Sequence, residues 1–235
     1  MSQRQLVGDG SMLRVLRNTL AGLGVALALS GAALAETELS FYIGIQDSPH
    51  SRVTGNDPGG VGAFSFLSDW EGRSFEAPPY YGFRATHWTG RNTRLGFGVD
   101  FSHNKVYADD ATLANNGFSR LEFTDGINTL TANVWYRWPG QWADGALTPY
   151  VGAGAGLSIP HVDVRTSGGS TFEYQITGPA VQVVAGVKYN INDNWALFGE
   201  YKGTYSENDA DLDNGGTLST NIVTNAINLG VSFSF

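Results

Sequence analysis

The chain has 235 residues, a net charge of −8, 31 glycines, 12% aromatic residues and no cysteine. The lack of cysteine excludes disulfides, zinc–thiolate sites and thiol nucleophiles, and the acidic balance argues against nucleic acid as a partner. Beyond residue 35, no stretch approaches the roughly 18 apolar residues of a membrane-spanning helix.

Residues 1–35 read as a cleaved signal peptide. Arg14 and Arg17 precede an apolar run from Leu20 to Leu29, and Ala33-Leu34-Ala35 supplies a small-x-small cleavage site before Glu36. Cleavage would remove Arg4, Arg14, Arg17 and Asp9, leaving residues 36–235 as one domain, more acidic still.

The mature chain opens on alternation. Leu39, Phe41, Ile43 and Ile45 take one face of a predicted strand, and Ser40, Tyr42, Gly44 and Gln46 take the other. Residues 47–79, rich in Gly, Ser, Asp and Pro, read as a long loop. A second strand spans 80–88, with Tyr81, Phe83 and Ala85 outward and Gly82, Arg84 and Thr86 inward. Thr89-Gly-Arg-Asn92 is a tight turn. The third strand, from Arg94 to about Lys105, points Leu95, Phe97, Val99 and Phe101 out and Asp100 and Ser102 in.

Residues 106–126 read as a second loop and 127–138 as a fourth strand, with Leu130, Ala132 and Val134 outward and Thr131, Asn133, Trp135 and Arg137 inward. A fifth strand follows at 148–164, then a third loop with Gly168, Gly169 and Glu173. The sixth strand, 178–189, turns Gln182 and Lys188 inward; the seventh, 195–205, turns Phe198, Glu200 and Lys202 inward. Residues 206–223 read as a fourth loop. The chain ends on Ile227, Leu229, Val231, Phe233 and Phe235, alternating with Asn228, Gly230, Ser232 and Ser234.

The predicted fold is therefore all-β: an eight-stranded antiparallel transmembrane β-barrel with four long extracellular loops and three short periplasmic turns. A soluble eight-stranded barrel would face its apolar side inward. Here the inward set includes Arg84, Asp100, Arg137, Lys188, Glu200 and Lys202, which cannot fill a dry core but can pair as a lumen network. Rings at Trp88, Tyr136, Trp138, Trp142, Tyr189, Trp195 and Phe235 fall near the short-turn end, as an interfacial girdle would. The final strand, ending on Phe235, resembles the terminal signal that the barrel-assembly machinery reads in Gram-negative outer-membrane barrels.

An eight-stranded barrel is filled by its own side chains, so no aqueous pore for solutes is expected and function falls to the outer rim. Gly152-x-Gly154-x-Gly156 has no helix after it, so it is not a dinucleotide fingerprint; inward glycines leave room for a neighbour such as Trp135. Asp209, Asp211 and Asp213 resemble part of a calcium loop but lack its closing Glu. His103 and His161 fall at the outer ends of upward strands, near Glu173. These three are the candidate catalytic residues, able to act as bases or to hold a divalent metal. Tyr80, Tyr81 and Arg84 are the candidate substrate-binding set, with Arg84 offering a planar fork to a phosphate or carboxylate.

Several stretches resemble the alphaproteobacterial lipid A oxidase family of outer-membrane barrels: residues 70–84, 98–109, 121–126, 148–156, 172–175 and 198–205, including Phe198-Gly-Glu-Tyr-Lys-Gly-Thr-Tyr205. The resemblance implies oxidation of the proximal glucosamine of lipid A to an aminogluconate, with molecular oxygen as co-substrate. It assigns no catalytic residues and no cofactor. The alternative is a non-enzymatic surface barrel serving envelope integrity or adhesion. In either case the expected setting is the Gram-negative outer membrane, with membrane lipid and lipopolysaccharide as partners, no nucleic acid, and a monomeric chain.

Overall fold

A computed structural model describes residues 36–90 and 93–235; the signal peptide expected at 1–35, and Arg91 and Asn92 of the first tight turn, lie outside the described residues. Alternation decides which face each residue takes, and every strand pairing is antiparallel. The strands are β1 (Glu36–Asp47), β2 (Ser51–Asp57), β3 (Gly62–Ser68), β4 (Trp70–Glu71), β5 (Tyr81–Trp88), β6 (Leu95–Ala108), β7 (Arg120–Arg137), β8 (Leu147–Thr166), β9 (Gly169–Tyr174), β10 (Gly178–Asn190), β11 (Trp195–Leu212) and β12 (Gly216–Ser234).

Eight of these form a ring in the order β1-β5-β6-β7-β8-β10-β11-β12. The ring closes where β12 lies antiparallel to β1, from Glu38↔Ser234 to Asp47↔Asn225. Closure leaves these strands no free edge, the condition for a sheet to stand in lipid. The outward rows are apolar and exposed, Leu229 to 69%, whereas their sequence neighbours face a filled lumen. A hydrophobic residue exposed in this way is stable only if lipid covers it.

The connections β5–β6, β7–β8 and β10–β11 leave one end of the ring. The opposite end carries the rest: a β2–β3 hairpin paired to β12, β4 on β6, β9 on β8, and a helix α1 (Asp110–Asn116). In outer-membrane barrels the longer connections face outside, so this is the extracellular end.

Much of what the sequence suggested as loop is strand here. β6 and β7 continue above the membrane to Ala108 and from Arg120, and β11 and β12 to Leu212 and from Gly216. The reason is a change of solvent. Above the lipid the outward side meets water, so Glu207, Asp209 and Asp211 point out while Ala210, Leu212, Leu218 and Ile222 point in. With Val53, Trp70, Phe118 and Phe123 those inward residues form an apolar core like that of a soluble sandwich. α1 fits the edge of this cap: the Asp109 side chain accepts the Thr112 N–H at 2.8 Å, and Gly117 takes a φ of 75° to end the helix.

Trp88 departs from the girdle expected at the short-turn end. It follows Arg84 and Thr86 on the inward face of β5 and is buried. Tyr189, Trp195 and Phe235 are exposed, as an interfacial ring requires.

Candidate functional site

Two places in the molecule gather polar side chains: the lumen and the extracellular rim. In the lumen, Arg84 and Asp100 are register partners on β5 and β6, so both leave the sheet on the inner side. The Arg84 Nε donates to Asp100 Oδ2 at 2.7 Å. Its two Nη atoms donate to the two oxygens of Glu200, each at 2.9 Å, from across the barrel on β11. Glu200 also accepts from Tyr150 Oη at 2.6 Å and Asn228 Nδ2 at 3.0 Å. Lys202 pairs with Asp100, which accepts the Tyr42 hydroxyl at 2.9 Å. The Arg84 guanidinium lies 4.2 Å over the Trp135 ring.

A second layer lies nearer the short-turn end. Lys188 pairs with Glu38, which also accepts from Trp88 Nε1 at 3.3 Å. Arg137 meets Glu36 at 2.8 Å and stacks 4.0 Å from Trp88. The cavity between the layers measures about 10 Å³, bounded by Glu38, Arg84, Trp88, Trp135, Tyr150 and Lys188; that is room for roughly one water. Close packing of the glycine strand completes the plug: a Cβ on Gly152 would overlap the Trp135 ring.

These contacts decide what Arg84 can do. Its fork is taken by Glu200 and its Nε by Asp100, so the substrate-gripping role considered from sequence is not available to it. Tyr80 is buried beside Tyr42, with ring centroids 6.4 Å apart. Tyr81, one residue on, faces outward and stacks on His103 at 5.1 Å.

At the rim, His103 is buried on the outer side of β6. Its ring lies between Tyr81 and the β7 bulge at Gly126, and Nδ1 is 2.9 Å from Asn128 Oδ1. His161 is also buried, edge-on to Phe172 at 4.3 Å and to Tyr174 at 4.7 Å. β7 runs between the strands bearing the two histidines. Glu173 is exposed and paired with Val162, while His161 pairs with Tyr174; alternation therefore puts Glu173 and His161 on opposite faces. The structure does not gather the three. Among the described residues no three His, Asp or Glu side chains come together as a metal site, so the donor set does not fit a bound divalent metal.

The sequence reading missed the partners of the lumen charges: Glu36 and Glu38, hidden beside the expected cleavage site, and the hydroxyls of Tyr42 and Tyr150. It also missed Arg120 and Arg165, which flank Asp163 on the outer wall. The hydrogen bond that Arg120 donates to Asp163 holds its guanidinium above its ordinary pKa against the opposing effect of burial.

With this geometry in hand, comparison with solved structures finds other barrels of the same kind. OprG, an outer-membrane protein of Pseudomonas aeruginosa, aligns with a TM-score of 0.52 at 11% identity, covering 86% of this chain and 96% of that one. AlkL, an outer-membrane protein studied in lipid bilayers, aligns at 0.49 and 16% identity over 100% of this chain and 97% of its own. Neisserial surface protein A aligns at 0.48 and 16% identity, covering 88% and 100%. No curated protein matches the chain in sequence. The outer membrane protein beta-barrel domain matches residues 21–235, and the closed ring, the lipid-facing rows and the plugged lumen agree with it: the chain belongs to that family and resides in the outer membrane.

Proposed function

We propose that this barrel acts on lipid A, oxidising its proximal glucosamine to an aminogluconate. The observation that carries the reading is the row of polar and aromatic side chains at the top of the apolar belt: Tyr81, His103, Asn128, His161 and Tyr174, all directed outward. The sugars of an outer-leaflet glycolipid lie at that level, and the stretches resembling lipid A oxidases include Tyr81, His103 and Tyr174. The reaction takes two electrons and two protons from the C1 hemiacetal of the sugar, leaving the lactone, and delivers both to molecular oxygen, giving hydrogen peroxide; water then opens the lactone to the aminogluconate and supplies the added oxygen. The chain's own contribution is a base near the C1 hydroxyl; His103 and His161 are the imidazoles at the right level. No step is assigned to a metal.

A second reading has its own support. The apolar cap is built like a stable display surface, and the candidate catalytic residues are spread over three strands and both faces. A non-enzymatic surface barrel needs no more than this. Mass spectrometry of lipid A separates the two. Cells expressing the wild type should carry aminogluconate lipid A, 16 mass units heavier by addition of one oxygen; cells lacking the gene should not. Among folded variants, His161→Ala or His103→Ala should abolish the product. Wild-type cells with unmodified lipid A rule out the oxidase and leave the surface barrel.

A further inference from the structure

The outer wall of β7, β8 and β9 stacks three chemistries in a column. Register partners point to the same face of a sheet, so the pairs can be read upward from the lipid. Leu130 faces Leu157, and Asn128 faces Ile159. Above them His161 faces Tyr174, and Asp163 faces Phe172 on one side and Glu122 on the other. At the top Arg120 faces Arg165.

The top of the column is unusual in two respects. Like charges directly opposed across strands destabilise a sheet, yet Arg120 and Arg165 are placed that way. Asp163 compensates: its side chain is 0% exposed, and it accepts Arg120 Nη1 at 2.8 Å and Arg165 Nε at 3.3 Å. Glu122 takes Arg120 Nη1 at 2.9 Å. The arginine side chains stay 41% and 45% exposed. The negative charge is thus held behind and the guanidinium edges face out, in a chain with 22 acidic and only 14 basic residues. Just below, Phe172, Tyr174 and Ile176 are exposed on the same wall at 60%, 56% and 70%. On the β11 side of the cap, by contrast, the outward residues are Glu207, Asp209 and Asp211.

We propose that this wall is a docking site for a phosphorylated acyl-glycolipid of the outer leaflet. Its phosphate meets the paired forks of Arg120 and Arg165, its sugars lie against Phe172 and Tyr174, and an acyl chain continues toward the membrane along Ile176. Guanidinium forks match phosphate oxygens in geometry as well as charge, and aromatic rings suit the zone between headgroup and chain. The site deepens the lipid A reading above and rests on it for the identity of the lipid, but binding does not depend on oxidation.

The test is a titration of the folded, detergent-solubilised mature chain, read by native mass spectrometry. The probes are lipid A phosphorylated on its distal sugar alone, so that the C1 hydroxyl is free, the fully dephosphorylated form and dimyristoylphosphatidylglycerol. The wild type should prefer phosphorylated over dephosphorylated lipid A by roughly tenfold or more, as two charge-assisted contacts imply. The double variant Arg120→Gln/Arg165→Gln should lose that preference, and Phe172→Ser/Tyr174→Ser should weaken both forms of lipid A alike. Heat-modifiable mobility confirms folding. Equal wild-type affinity for the two lipid A forms overturns the site without any variant, and so does phosphatidylglycerol competing as well as lipid A. A folded arginine double variant with the wild-type preference overturns it too. Intact preference without aminogluconate in cells sinks the oxidase reading alone, while product without preference sinks this site alone.

Discussion

Arg84 and Glu200, 116 residues apart, meet through two parallel hydrogen bonds of 2.9 Å in the middle of the barrel lumen. The bidentate pair ties β5 to β11 across the ring, and both side chains are at most 5% exposed. Removing one partner leaves a charge with no water to take it. Glu200→Gln should therefore cost about 3–5 kcal/mol, read as a lower urea midpoint for the loss of heat-modifiable mobility. Arg84→Met/Glu200→Leu removes both charges and leaves Asp100 paired with Lys202, so it should recover a large part of that loss. An unchanged midpoint for Glu200→Gln means that the pair does not hold the barrel.

The same packing closes the lumen to solutes. Proteoliposomes containing the barrel should not swell in isotonic arabinose, since the central void takes only about one water. Swelling at the rate of a general porin contradicts the plugged lumen directly.

The cap has a core of its own, so it should fail separately from the membrane belt. Leu218→Ala and Ile222→Ala each remove a fully buried side chain and should cost about 2–5 kcal/mol of cap stability. The expected signature is faster proteolysis of the extracellular segments in intact cells, with heat-modifiable mobility of the core barrel kept. Loss of mobility together with protease resistance shows instead that cap and belt fold as one unit.

Asp109 makes the start of α1 sensitive to acid. Hydrogen bonds from Thr112, first from its side chain and then from its backbone N–H, hold the carboxyl below the ordinary aspartate value of 3.8. A group lowered in the fold contributes stability above its unfolded pKa, and the contribution is lost as pH falls through the folded value. Hydrogen-exchange protection of the Thr112 and Leu113 amides should thus be level at neutral pH and decline below 3.8. Asp109→Asn keeps the cap and removes the titration, so its protection should stay flat over the same range.

The membrane part of this fold is legible in the sequence because one rule governs it. Between Leu39 and Ile45, or Ile227 and Phe233, every second residue must be acceptable to lipid, and period two follows. The lumen charges show for the same reason. Their partners do not: that Arg84 meets Glu200 depends on the ring's closure and on how far strands slide past one another, which no single strand records. Above the membrane the alternation persists but its sense inverts. Residues 206–223 look like a loop because their outward members are Glu207, Asp209, Asp211, Thr217 and Ser219; their inward members, Ala210, Leu212, Leu218 and Ile222, hold the strand. At the rim, local pattern marked His103 and His161 by height but could not show that β7 separates them. Arg120 and Arg165 are 45 positions apart and become neighbours only through pairing.

The inversion along β11 and β12 gives assembly a direction. Both strands enter the bilayer from the periplasm, and their tip, with Asp209, Asp211 and Asp213 exposed, has to cross it first. While crossing, Ala210, Leu212, Leu218 and Ile222 have only one another to pack against, because Val53, Trp70 and Phe123 arrive on other segments. The cap therefore consolidates on the far side, after insertion. Its hydrophobic core acts as a latch that forms late and discourages the hairpins from slipping back, so a mutation there should lower retention in the membrane more than entry into it.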